Sequence, residues 1–186
     1  MLLQDTILVV IDIQEKLFPA IFNQNQVLEN SQKVIEFANI LNIPIVVTEQ
    51  YPKGLGITLS SVRQKLGDAY RPISKTAFSC FGEPAFVKAI KESGKSNVVL
   101  VGIETHVCVA QTALTGLYAE IDDPDFELDV AVLADCVGSR NPTDHAFALD
   151  RLRTEGITVT TKDAFFYEML LEAKTEDHKK VFELLK

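Results

Sequence analysis

The segment VLVGIETHVCVAQTAL, residues 99–114, begins as a continuous apolar run and ends as a helical pattern, with Glu104, Thr105 and His106 at the change of period. Unbroken Val/Ile-rich runs are typical of strands covered on both faces, and a strand that feeds directly into a helix is half of a β-α-β unit. The same pairing recurs along the chain. Apolar runs TILVVID (6–12), IPIVVTE (43–49), NVVLVGI (97–103), DVAVLAD (129–135) and ITVTT (157–161) are separated by helical patterns at 27–42, 83–94, 106–118 and 143–156. A weaker strand, YRPIS (70–74), falls between the second and third runs, and a helical stretch from Asp163 onward closes the sequence. This alternation predicts an α/β fold, a doubly wound three-layer sandwich around a mostly parallel six-stranded sheet. The common strand order for such sheets, 3-2-1-4-5-6, makes strands one and four neighbours, with a ligand crevice at their carboxyl ends.

A chain of 186 residues can bury one full core without disulfide or metal staples, so residues 1–186 are read as one domain. The net charge of -8 argues against a nucleic-acid surface, which needs clustered Lys and Arg, and leaves small molecules and proteins as partners. Three cysteines without CxxC spacing fit free thiols in a reducing compartment. The first residues carry no basic leader, and no apolar run approaches membrane-spanning length; the expected location is cytoplasmic. The acidic insertion AEIDDPDFELD (119–129) is expected to be a solvated loop.

Three residues stand after predicted strand ends and carry usable chemistry. Cys108 lies just inside a helix N-terminus, where aligned peptide dipoles and free N–H groups favour a thiolate. Its ordinary alternative is packing, because free cysteine is among the most buried residue types. Asp12 ends the first strand and reads equally as a helix cap, with Glu15 completing a capping box. Lys75 is a surface cation by default, but Phe78, Cys80 and Phe81 nearby suggest an apolar setting in which an ammonium needs an anionic partner. Together they supply an acid, a base and a nucleophile at one end of one sheet.

Other chemistries lack their residues. No G-x-S-x-G elbow, Walker loop, HExxH or D-x-H pair occurs, and KGLGITLS lacks the third glycine of a dinucleotide fingerprint. His106, His145 and His178 form no ligand spacing, so neither a metal nor a cofactor is expected.

With these residues in place, the chain resembles the isochorismatase-like cysteine hydrolase superfamily, in the branch of isochorismatase domain-containing proteins. The likeness spans VVIDIQEKL, VTEQYPKGLG, SKTAFSCF, VGIETHVCVAQTAL and VLADCVGSR. It implies a catalytic Asp12, Lys75 and Cys108, and an oxyanion hole from the backbone N–H groups of Glu104 and Cys108. It also implies a cis peptide at Ile103–Glu104, which for a non-proline bond costs about 3–4 kcal/mol. The metal-binding Asp-x-His of nicotinamidases is replaced by TEQYPKG, and the cysteine, absent from vinyl-ether-cleaving isochorismatases, points to C–N hydrolysis. Phe18, Tyr51, Phe78 and Phe81 are candidates for the wall of a small-molecule pocket. A homo-oligomer is implied by the resemblance, with apolar side chains of the last two helices offering an interface. The expected function is therefore a cysteine-dependent hydrolase of an amide-type bond; the alternatives are an oligomeric binding or regulatory protein and, third, a ribonuclease.

Overall fold

Six apolar runs become β1 (Thr6–Ile11), β2 (Ile45–Gln50), β3 (Ile73–Lys75), β4 (Asn97–Ile103), β5 (Asp129–Gly138) and β6 (Thr158–Thr160) in the computed structural model, which describes residues 1–119 and 127–185. They form one sheet in the order 3-2-1-4-5-6, and every pairing between these strands is parallel. The central strands β1 and β4 are buried along their whole length, which is why their sequences do not alternate.

Eight α-helices are described: α1 (Gln24–Ile40), α2 (Pro52–Leu55), α3 (Ser60–Leu66), α4 (Pro84–Ser93), α5 (Ala110–Leu117), α6 (Pro142–Thr154), α7 (Lys162–Leu170) and α8 (Glu176–Leu185). Their boundaries follow local chemistry. Proline stands at the first position of α4 and α6, preceded by capping side chains: Glu83 accepts from Ala85 N–H, and Asn141 from Thr143 N–H at 2.8 Å. Gly94 ends α4 in the left-handed conformation.

The sheet separates two apolar cores. On one face Leu8, Val10, Val99, Val101 and Leu133 pack with buried residues of α1, α3, α7 and α8. There the Phe37 and Phe166 rings stack with centroids 4.0 Å apart. On the other face Ile7, Val9, Ile11, Val98 and Leu100 meet α4, α5 and α6. The buried apolar side chains of the last two helices, Phe165, Phe166, Met169 and Val181, thus pack into this chain's own core. Among the described residues no helix is long and apolar enough to cross a membrane.

Two local expectations change. The weak third strand sits further along than YRPIS and ends on Lys75 itself, because its register is set by pairing with Thr48, Glu49 and Gln50 of β2. The stretch after β2 contains the short helices α2 and α3, whose apolar periodicity is too brief to read. Residues 120–126 of the acidic insertion lie outside the described residues.

One glycine limits how β4 can approach β1. Gly102 has φ 135°, lies at an irregularity in the β4–β5 pairing, and a Cβ there would sit 2.1 Å from the Ile11 carbonyl oxygen. No rotamer relieves a clash with backbone. Gly102→Ala is expected to lose about 3 kcal/mol or more of stability, measured as a lowered urea midpoint; an unchanged midpoint would show that the two strands can part at little cost.

Candidate active site

The carboxyl ends of β1, β3 and β4 bring the three sequence-predicted residues together. Asp12 follows β1 with φ 55°, a left-handed conformation that turns the chain out of the sheet. Its carboxylate is buried and does not cap a helix. Instead Lys75 Nζ donates to Oδ2 at 2.7 Å, and Thr48 Oγ1 donates to Oδ1 at 2.8 Å. Lys75 starts two strands away, and its side chain crosses β2 to arrive there fully buried. It also donates to Gln50 Oε1 at 2.7 Å and lies within 3.4 Å of the carbonyls of Ala77 and Phe78. Burial alone would depress its ammonium, but the Asp12 charge, followed by the Cys80 and Cys108 thiols, holds its pKa above the usual lysine value.

Cys108 comes from the opposite side. After β4 the chain turns at Glu104, φ 59°, into a π-helical turn over Thr105–Val109 that leads into α5. The Ile103–Glu104 bond is trans, and among the described residues no peptide bond is cis. The reversal expected of a cis bond is made here by the left-handed residue Glu104, a conformation that costs about 1–2 kcal/mol. The Cys108 side chain is buried, and its thiol feels the charges of both Asp12 and Lys75. Burial first, and the Asp12 charge second, push this thiol up to about 12, with Lys75 opposing both. The resting group is therefore a thiol, not the thiolate suggested by its place near a helix start, since desolvation outweighs Lys75.

Glu104 and His106 point to the other flank. Arg140 Nε donates to Glu104 Oε1 at 3.0 Å, and His106 Nδ1 lies 3.0 Å from Ser139 Oγ. Thr105 Oγ1 lies 2.9 Å from His145 Nδ1. These contacts tie the turn that carries Cys108 to the start of α6; burial lowers the pKa of His145. Among the described residues no group of three or more His, Cys, Asp or Glu side chains gathers into a metal site.

The four aromatic candidates divide. Phe18 is buried in the α1-side core, and Phe81 packs edge-on against Phe86 in the other. Tyr51 and Phe78 are half-exposed and stand beside Lys75: Tyr51 N–H donates to the Lys75 carbonyl at 2.8 Å, and the Phe78 carbonyl lies 3.3 Å from Nζ. The Tyr51 ring lies over Gly54, where a Cβ would come within 2.2 Å of it.

Sequence reading passed over the residues that hold the site. Gln14 is fully buried; it accepts from Gln50 N–H at 2.7 Å and donates to the carbonyls of Gln50 and Gly56. Glu49, also buried, accepts from Thr58 N–H, Thr58 Oγ1 and Tyr70 OH, all at 2.8 Å. The available signal was alternation in TEQ at the end of β2, which sends Thr48 and Gln50 to one face and Glu49 to the other.

A six-stranded, doubly wound parallel sheet in the order 3-2-1-4-5-6 is an isochorismatase-type fold. The isochorismatase domain family matches residues 6–164, and the chain belongs to that family. Isochorismatase domain-containing protein 2 of Danio rerio is 35% identical over 181 residues, covering 97% of this chain and 86% of the relative. The structure described as MAR1 ribonuclease from Caenorhabditis elegans superposes with TM-score 0.86 at 35% identity, over 100% of this chain and 91% of that one. The YcaC gene product of Escherichia coli, described as an octameric hydrolase of unknown specificity, shares the fold with TM-score 0.87 at 23% identity, over 99% and 89% of the two chains.

The buried thiols make alkaline stability a readout of the site. Cys80 is raised to about 11, chiefly by burial, and Cys108 to about 12. Above the free-thiol value of about 8.5 the unfolded chain loses protons that the native chain keeps, so stability is complete below that pH and falls as pH rises towards 11–12. The urea midpoint should drop between pH 8 and pH 10, and drop less in Cys108→Ala. Equal drops would mean that the Cys108 thiol does not titrate as its surroundings dictate.

Proposed function

We propose that the chain is a cysteine-dependent hydrolase that cleaves an amide-type C–N bond of a small molecule through a thioester. One observation carries this reading: the Lys75 ammonium bonds the Asp12 carboxylate at 2.7 Å, and the Cys108 thiol, buried like both, feels the charge of each. Asp12 takes the thiol proton as sulfur attacks the carbonyl carbon, which avoids any need for a standing thiolate. Lys75 offsets the charge that moves onto sulfur. Backbone N–H groups of Glu104 and Cys108 serve as the oxyanion hole, a contribution of roughly 3–4 kcal/mol per donor. As the C–N bond breaks, Asp12 returns its proton to the leaving amine. It then takes a proton from the water that attacks the thioester, and the acid leaves with the proton restored to Cys108.

Tyr51 and Phe78 serve as the wall of the approach, being the two aromatics beside Lys75 that remain half-exposed. Three free cysteines, all buried, support a reducing, cytoplasmic setting. The octameric YcaC neighbour supports a homo-oligomer, though that likeness is one of fold. The name of the C. elegans structure favours a ribonuclease as second reading; the net charge of -8 weighs against it.

A panel of small primary and secondary amides, read by ammonia or amine release and by intact mass of the acyl-enzyme, tests the proposal. The expected result is turnover that falls at least about a thousandfold in Cys108→Ala, with the acyl adduct absent. Turnover retained in that variant overturns the mechanism, and RNA cleavage that is lost in it would establish the ribonuclease instead.

A further inference from the structure

The strand between the two charged residues contributes one neutral partner to each. Thr48 and Gln50 lie two residues apart on β2, and therefore on one face, between Asp12 after β1 and Lys75 at the end of β3. Gln50 gives its Oε1 to Lys75 Nζ, and its Nε2 donates to the Thr76 carbonyl at 2.8 Å. Thr48 gives its hydroxyl hydrogen to Asp12 Oδ1. A hydroxyl has only one hydrogen to donate, and Thr48 is fully buried, so no water competes for that bond. The Cys80 thiol lies 3.9 Å from Thr48 Oγ1 on the accepting side.

With Thr48 on one oxygen and Lys75 on the other, the plane of the Asp12 carboxylate is defined by donors from two different strands. Cys108 follows β4, which pairs with β1 on the side away from β2, and its thiol feels the Asp12 charge. We propose that Thr48 is a positioning residue, whose hydroxyl fixes the Asp12 carboxylate in the orientation that receives the Cys108 proton. This rests on the Asp12–Lys75–Cys108 reading given above. Lys75 alone fixes only one oxygen, which leaves the carboxylate free to turn about its bond to the side chain. Thr48 removes that freedom.

The test uses iodoacetamide, a small neutral alkylating agent, with Cys108 modification followed by peptide mass spectrometry at pH 7.5 in wild type, Thr48→Val, Thr48→Ser, Asp12→Asn and Lys75→Met. Thr48→Val keeps the shape of the side chain and removes the hydroxyl; its Cys108 rate should fall about tenfold, as expected for loss of one hydrogen bond to a charged group. Thr48→Ser keeps the hydroxyl and should remain within about twofold of wild type, although it removes a buried methyl group. A purely structural role predicts the reverse ranking, because serine leaves a void and valine does not. The positioning role is overturned if Thr48→Val reacts like wild type, or if Thr48→Ser slows as much as Thr48→Val. If Asp12→Asn slows the reaction and Thr48→Val does not, only this role falls. If Asp12→Asn reacts at the wild-type rate or faster, the catalytic reading falls with it.

Discussion

The buried Asp12–Lys75 ion pair constrains the rest of this site. Its two side chains are 1% and 0% exposed, and neither charge has water to fall back on. Taking two ions out of water costs several kcal/mol each, so the pair persists only with close geometry and with its remaining hydrogen-bonding capacity filled. The surrounding residues meet that demand. Thr48 satisfies the second carboxylate oxygen, while Gln50 and the Phe78 carbonyl surround the ammonium. The register of β1, β2 and β3 then has little freedom, because a slip by one residue would turn Thr48 or Lys75 to the wrong face.

The same pair bears on the state of Cys108. A cysteine beside an ammonium and near a helix start would ordinarily ionise easily. Here the ammonium is already neutralised by Asp12, the helix starts with an irregular π turn, and the sulfur is buried. Desolvation and the carboxylate charge win, and the proton stays on Cys108. Cys80 and Cys136 are raised by burial as well, Cys80 beside the same Asp12 and Lys75 and Cys136 beside Asp135 and Lys162.

Away from the ion pair, the turn that carries Cys108 is fastened along its other flank. Glu104 holds Arg140, His106 meets Ser139, and Thr105 meets His145, so three consecutive residues of the turn are tied to the segment that begins α6. The turn is thus held between β1 on one side and α6 on the other. Gly102, two residues earlier, allows the close approach of β4 to β1 that puts sulfur within reach of Asp12.

The sequence by itself determined the architecture and singled out Asp12, Lys75 and Cys108 as candidates. Continuous Val/Ile runs alternating with helical periods leave few arrangements besides a parallel sheet covered on both faces, and the run at 97–103 coincides with β4 from end to end. Asp12, Lys75 and Cys108 were legible because each follows a strand end and together they make a recognisable set. The tertiary structure alone decided what holds them. Thr48, Gln50, Gln14 and Glu49 are ordinary polar residues near a strand end, and nothing in their spacing says which oxygen faces which donor. The trans turn at Glu104, the burial of Phe18 in the core, the packing of Phe81 against Phe86, and the protonated Cys108 were equally hidden. Each depends on burial and on partners from distant strands, and the free energies of desolvation and hydrogen bonding that settle them exist only once the chain has closed around the site.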